Sequence, residues 1–371
     1  MRIAVVADSI SRKNGGITAV IHELCRHYAA FGHEVILFGI EDEYSKCDCE
    51  SAGVEFRTVP VRLNVGLRYA PKLRKLLLDF APDIIHVHGI WSYSGIVCTS
   101  LGIPYVVSVH GMLDKWALRQ SALKKKLFSF FFEHRMLRRA AAVCALCESE
   151  SRSIREFQSG LDPVVIPNGV TIPDEDSPLP TSDGKKELLY LGRLHPKKGA
   201  QNLIPAFLKT APPDWRLVVA GWDQECFRNR LTALAGDSPN VVFTGPLFGD
   251  DKIAALRRCS AFILPSYSEG LPMAVLEAWS YRKPALITEH CNLPEGFEAD
   301  AAIRIDTECD ELAEDLRRFF ALPDARLVEI GENAWNLASE KFRWDSVARR
   351  YVELYRKLTE KPVRGGQPNG R

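Results

Sequence analysis

The chain has 371 residues, 46% of them hydrophobic and 26% charged, with a formal net charge of +1. That composition excludes a disordered, collagen-like or coiled-coil chain, and at roughly 100–200 residues per domain the length points to two domains. A balance this close to zero also argues against a dedicated nucleic-acid binder, which carries a marked basic excess.

Short apolar runs alternate with amphipathic stretches along almost the whole length, the pattern of a parallel sheet covered by helices. The first series of expected strands is Arg2 to Ala7, Glu34 to Phe38, Val54 to Val59, Asp83 to Val87, Tyr105 to Val109, Ala141 to Ala145 and Val164 to Ile166. Ile17 to Ala30 has apolar residues at helical spacing and runs into Phe31-Gly32-His33, a natural helix end. Residues 170–184, with three prolines and four acids, break the pattern and read as a linker. A second series follows at Glu187 to Leu191, Trp215 to Ala220, Val241 to Phe243, Ala261 to Leu264 and Ala285 to Ile287. The organisation expected is therefore α/β, with two doubly wound domains at 1–169 and 185–344. An amphipathic helix at 345–360 and a disordered tail at 361–371 complete it.

Ligands of open α/β sheets bind outside the carboxyl ends of the strands, so a cleft between two such domains is the expected site, and the residues at those ends come first. After the first strand, Gly15-Gly16 opens a helix and lets backbone amides approach an anion, although neither dinucleotide nor Walker spacing is present and a simple turn fits as well. Arg193 stands just past a strand with Lys198 five residues later, two cations suited to a pyrophosphate clamp or to a solvated basic turn. In Pro265-Ser-Tyr-Ser-Glu-Gly-Leu-Pro-Met-Ala-Val-Leu-Glu-Ala278, Glu277 is the single charge on an apolar helix, which makes a partner necessary. A pair of vicinal hydroxyls could supply it, and Glu269 on the preceding turn could hydrogen-bond a sugar.

Glu269 and Glu277 form a Glu-x7-Glu pair in the context Pro-Ser-x-x-Glu-Gly-x-Pro-Met-x-x-Leu-Glu-Ala. Together with Gly192-Arg-Leu-x-x-x-Lys-Gly199 upstream, they closely resemble the group 1 retaining glycosyltransferases. The resemblance runs from Met1 to about Leu358 and takes in Asn168-Gly169. It implies the GT-B fold, two Rossmann-like domains facing a cleft, with the last helix crossing back to the first domain. It further implies that Arg193 and Lys198 hold the donor diphosphate, that Glu277 takes the ribose hydroxyls, and that Glu269 and Gly270 meet the donor sugar. Gly15 and Gly16 would present amides to the phosphate, and His110, in Ser-Val-His-Gly, would sit against the transferred sugar. Where many members have a Gly-Gly pair, this chain has Glu289-His-Cys-Asn-Leu-Pro-Glu295, so Asn292 and Leu293 are expected to supply the amides that cradle the donor. Arg282 replaces a commonly small residue and reads as a surface change.

The activity expected is transfer of a sugar, with retention, from a UDP- or GDP-linked donor to a glycan or lipid-linked acceptor in exopolysaccharide, capsule or O-antigen synthesis. No cofactor or metal is expected: the one Asp-x-Asp spacing, Asp174 and Asp176, lies in the linker. A nucleotide-sugar epimerase and a non-catalytic nucleotide-sugar binder are the alternatives. His86 and His88 share a strand face and are acceptor-side candidates, or structural. Cys144-x-x-Cys147 overlaps a buried strand and has no partner pair, so inert thiols are expected there, and reduced thiols among all ten cysteines.

Between Lys115 and Arg139 lie eight basic residues and one acid, interleaved with Trp116, Leu118, Leu127, Phe128, Phe130, Phe131 and Phe132. A helix with cations on one face and phenylalanines on the other suits an anionic membrane surface, whereas a plain core segment would bury the rings. No apolar run reaches the ~18 residues of a spanning helix, and the N-terminus shows no cleavage pattern. The protein is therefore expected in the cytoplasm, peripheral to the inner face of its membrane.

Overall fold

The computed structural model describes residues 1–64, 68–114, 118–119, 122–174, 184–223 and 226–360, side chains at 64 and 122–124 excepted. They form two compact units, one of Met1–Asn168 with the helix Trp344–Glu360 and one of Gly169–Arg343. Each is a Rossmann-like parallel sheet with helices, as expected of a GT-B chain.

The first unit contains β1 (Arg2–Val6), β2 (Glu34–Ile40), β3 (Phe56–Val59), a hairpin of β4 (Leu63–Asn64) and β5 (Arg68–Tyr69), β6 (Ile84–His88), β7 (Tyr105–Ser108), β8 (Ala142–Ala145) and β9 (Val164–Val165). Its seven-stranded sheet has the order β3-β2-β1-β6-β7-β8-β9, so the strand order reverses between β1 and β6. Val5 lies in register with Leu37 on one side and His86 on the other. These strands read as continuous apolar runs because helices cover both faces. The helix Gly16–Ala30 buries Val20, Ile21, Leu24 and Tyr28. The helix Trp344–Glu360 buries Trp344, Val347, Ala348, Tyr351, Val352 and Tyr355, a stripe at i, i+3, i+4 and i+7 spacing. Each buried Val, Ile or Leu in these stripes stabilises by roughly 1.5–3 kcal/mol. The two helices meet where Tyr28 and Tyr355 cross edge to face at 5.7 Å.

The second unit contains β10 (Lys186–Leu191), β11 (Trp215–Ala220), β12 (Val241–Gly245), β13 (Ala261–Leu264), β14 (Ala285–Ile287) and β15 (Ala302–Arg304), in the order β12-β11-β10-β13-β14-β15. The order reverses between β10 and β13, where both halves of the Arg193/Lys198 and Glu269/Glu277 pattern leave the sheet. β15 escaped the sequence reading: three residues ending in Arg304 are too short to show periodicity. Residues 175–183 of the linker and the tail 361–371 lie outside the described residues.

One buried acid in this unit is wholly internal. Glu187 on β10 is fully buried and takes Arg216 on β11, with its guanidinium Nε at 2.9 Å, and Arg258, also at 2.9 Å. Two guanidinium forks satisfy the carboxylate's acceptor sites, the condition under which a buried charge is tolerated. Glu187→Ala should cost about 3 kcal/mol by removing the buried carboxylate that both guanidiniums bond. Chemical denaturation checks this, and a loss below about 0.5 kcal/mol would show that solvent already carries the arginines.

Candidate functional site

At the reversal point of the second unit, the loops following β10, β13 and β14 are sewn together by main-chain hydrogen bonds. The Tyr267 amide donates to the Lys197 carbonyl at 2.9 Å, and the Glu269 amide donates to the His290 carbonyl at 2.9 Å. Thr288 Oγ1 donates to the Ser266 carbonyl at 2.7 Å. Gly199 makes this approach possible. It sits at φ +75°, and a Cβ there would lie 2.0 Å from the Pro265 carbonyl oxygen.

Inside this frame Lys198 Nζ lies 2.5 Å from Glu269 Oε1, and Ser266 Oγ donates to the same oxygen at 2.6 Å. The lysine is 15% and the glutamate 9% exposed, a pair sheltered enough to be screened little by salt. Arg193, two residues past β10, is exposed, and among the described residues its guanidinium makes no ion pair. Its carbonyl accepts from Tyr190 Oη at 3.0 Å, which fixes the main chain while leaving the guanidinium to solvent.

Glu277, on the helix Met273–Ser280, does have the partner its surroundings demand, but the partner is Lys252, whose Nζ lies 2.8 Å from Oε1. Lys252 comes from the helix Gly249–Arg258, and sequence spacing gave no hint of it. The expectation for Asn292 needs correcting. Its amide is committed to the Glu289 carbonyl at 3.1 Å, within a 3-10 turn that ends with Asn292 at φ +57°. Instead its side-chain Nδ2 donates to the carbonyls of Glu269 at 2.5 Å and Gly270 at 3.2 Å, so Asn292 holds the glutamate turn from behind. Leu293 is buried and precedes the short helix Pro294–Glu298.

In the first unit, Gly15 follows the turn Arg12–Asn14 at φ +61° and ψ −134°, a conformation that favours glycine, and starts the helix Gly16–Ala30. Asp42 accepts from Ser9 Oγ at 3.1 Å and Ser11 Oγ at 2.9 Å, bracing the turn. A Cβ on Gly15 or Gly16 would meet nothing within 4 Å, so packing does not require glycine at position 16.

His110 stands two residues past β7 at φ +57°. The following amide, of Gly111, donates to Glu150, whose other oxygen accepts from Leu146 N at 2.5 Å. Glu150 is itself buried, and that burial raises its carboxyl above the usual range while the two amides pull it back. His86 and His88 do not line an open acceptor pocket. His86 is 0% and His88 3% exposed, because the helix Trp344–Glu360 lies over their strand face. His86 bonds Ser108 Oγ at 2.8 Å and Tyr355 Oη at 2.6 Å, and His88 Nδ1 meets His110 Nε2 at 2.9 Å. Burial pushes His86 down to about 3 and His110 down to about 4, and holds His88 well below its ordinary value.

The basic-aromatic segment is not one regular helix. It runs as a helix Ala122–Phe128, a π-helical turn Ser129–Glu133 and a helix His134–Arg139. Phe130 is 79% exposed, and Phe131 and Phe132 are exposed as well, so these rings are not core. All ten cysteines are free thiols, and burial pushes Cys144 up to about 12. Among the described residues no group of three His, Cys, Asp or Glu could hold a metal ion, and no helix is long and apolar enough to cross a membrane. Asp176 lies outside the described residues.

Residues 15–169 match the family described as the glycosyl transferase 4-like domain, and residues 172–336 match the glycosyl transferases group 1. The two halves of the chain thus carry glycosyl transferase domains, the second of group 1 type. Among curated relatives, an uncharacterized glycosyltransferase of Methanocaldococcus jannaschii is 26% identical over 64% of the chain, which spans just under two thirds, 65%, of that protein. The GDP-mannose-dependent alpha-mannosyltransferase of Mycolicibacterium smegmatis is 24% identical over 77% of the chain and 79% of its own length. Among solved structures, Anabaena HepE in complex with UDP and glucose superposes with a TM-score of 0.78 at 18% identity, covering 96% of this chain and all of that one. That likeness establishes the fold of this glycosyl transferase.

The buried histidines give the first unit an acid-sensitive stability. Folded His86 and His110 resist protonation down to about 3 and about 4, whereas the unfolded chain takes up protons near 6.5. Their contribution is therefore fully present above pH ~6.5 and is lost as pH falls toward ~4. The unfolding midpoint should drop across that window, and a His86→Phe variant should show a shallower slope. Equal slopes would contradict the assignment.

Proposed function

We propose that this protein transfers a sugar, with retention of anomeric configuration and without a metal ion, from a nucleoside diphosphate donor to a glycan or lipid-linked acceptor in polysaccharide synthesis. The observation that carries the reading is the sewn cluster of Lys198, Glu269, Ser266 and Asn292 at the reversal point, with Arg193 open beside it. A leaving nucleoside diphosphate accumulates negative charge, and a fixed ammonium and guanidinium aimed at that charge favour the transition state over the ground state. In the free protein Glu269 occupies Lys198, and a diphosphate would take the ammonium over, releasing the carboxylate for the donor sugar. Lys252 likewise shares Glu277 with the ribose hydroxyls.

Open space at Gly16 supports a close approach of phosphate to the helix amides there. His110, neutral at physiological pH, is assigned to the transferred sugar by the family resemblance. UDP and GDP are the bases to try, since HepE was solved with UDP and the mycolicibacterial relative is GDP-mannose-dependent.

Product analysis with a panel of UDP- and GDP-sugars tests the reading. Transfer or slow donor hydrolysis is expected, falling at least about 100-fold in Glu277→Ala. An isomerised donor formed without acceptor would instead favour an epimerase, and binding without turnover a nucleotide-sugar sensor.

A second observation, the exposed rings beside the lysines, supports association of residues 115–139 with an anionic membrane from the cytoplasmic side. Beneath them lies a largely apolar cavity of about 850 Å³ lined in part by Leu113, Leu127, Phe130 and Phe157 with Lys125 and Lys126. Phe130→Ser with Phe131→Ser, or Glu in place of Lys124, Lys125 and Lys126, should reduce co-sedimentation with phosphatidylglycerol vesicles several-fold while donor hydrolysis persists. Unchanged sedimentation would remove this reading and leave the catalytic one intact.

A further inference from the structure

The first unit holds a group of buried polar side chains that the proposed chemistry does not use. Tyr28 Oη meets Tyr355 Oη at 2.9 Å, Tyr355 Oη meets His86 Nδ1 at 2.6 Å, and His86 Nε2 meets Ser108 Oγ at 2.8 Å. Both nitrogens of His86 are thus engaged, and its ring is pinned. The ring of His88 lies against it, with centroids 3.9 Å apart. On its other side His88 Nδ1 reaches His110 Nε2 at 2.9 Å. The two rings are within 22° of coplanar with centroids 5.1 Å apart, which is an edge-on, in-plane bond between two imidazoles. His88 Nε2 is buried and has no hydrogen-bond partner among the described residues.

These contacts restrict where the protons can be. A neutral imidazole has one N–H and one lone pair, so a single hydrogen lies between His88 and His110. Were that hydrogen on His110, His88 would carry its own on Nε2, a buried N–H with no acceptor. Orphaned buried N–H groups are rare and cost about 1–3 kcal/mol. The opposite arrangement leaves His88 with no orphaned N–H: its Nδ1–H donates to the Nε2 lone pair of His110. Burial keeps both rings neutral, so neither carries a second proton at physiological pH.

We propose that His88 is a positioning residue that holds His110 in the Nδ1–H tautomer. His110 Nε2 is then consumed as an acceptor, and Nδ1–H is the group the ring has left to offer. His110 accordingly acts toward a sugar as a hydrogen-bond donor and not as a proton acceptor. The functional half of this inference rests on the reading that His110 meets the transferred sugar; the tautomer does not.

Long-range proton–nitrogen NMR of protein labelled with 15N-histidine reads the tautomer directly and needs neither donor nor acceptor, so its outcome is separate from that of the transferase reading. The expected result is His110 protonated on Nδ1 in the unaltered protein, moving toward the Nε2–H form in His88→Leu. His110 found protonated on Nε2 in the unaltered protein would overturn the proposal. The kinetic arm compares His88→Leu with His88→Asn, whose amide N–H occupies the place of Nδ1. His88→Leu should lower kcat about 10- to 100-fold with donor KM within about threefold, as a misdirected group does. His88→Asn should recover most of that loss. Equal loss in both variants, each with a native-like spectrum, would show that packing alone is at stake and would overturn the positioning role.

Discussion

An ammonium and a carboxylate held 2.5 Å apart at the strand-order reversal of the second unit is the interaction on which the candidate functional site depends. Lys198 and Glu269 are 71 residues apart in the chain. They meet because β10 and β13 are neighbours in the sheet and because Gly199 lets one loop lie against the backbone of the other. Ser266 and Asn292 then fix the carboxylate from two sides. A pair so built costs little to reorganise when an anion arrives, since the cation is already aimed and exchanges one acceptor for another. That is preorganisation in the sense that matters for charge developing on a leaving diphosphate.

The first unit uses polar groups differently. Its buried tyrosines, histidines and Ser108 satisfy one another along the face covered by the helix Trp344–Glu360. Replacing such a network by apolar side chains need not destabilise a fold. Its retention makes sense if it fixes the direction of a ring, and the ring at its open end is His110, held at a positive φ beside the Glu150 clamp. A glutamate with both oxygens on main-chain amides is a rigid support for a strained turn, and nothing in the local sequence around Glu150 announces it.

How far the chain could be read in advance follows from the range of the interactions concerned. Trp215–Ala220, Ala261–Leu264 and Ala285–Ile287 coincide with the expected strands because a strand buried on both faces is a local signal, an apolar run between polar turns. β15 and the β4–β5 hairpin, of two or three residues per strand, fall below the length at which such a signal appears. Arg193, Lys198, Glu269 and Glu277 stood out through their motif, and so their placement at two neighbouring strand ends was open to inference. Their partners were not. Lys252 lies 25 residues from Glu277 on another helix, and Asn292 turned out to contribute its side chain where its amide had been expected. The strand period put His86 and His88 on one face correctly. What it could not convey is that a helix more than 250 residues downstream covers that face.

The central claim is that Lys198 grips the diphosphate of the donor. Calorimetric titration of UDP and GDP into the protein and into Lys198→Met, at one fixed salt concentration, addresses it without any need to know the sugar or the acceptor. A charge-assisted hydrogen bond contributes about 1.5–3 kcal/mol, so the variant should bind the preferred nucleotide roughly 10- to 150-fold more weakly than the unaltered protein. Equal affinity in the two proteins would contradict the account at its base.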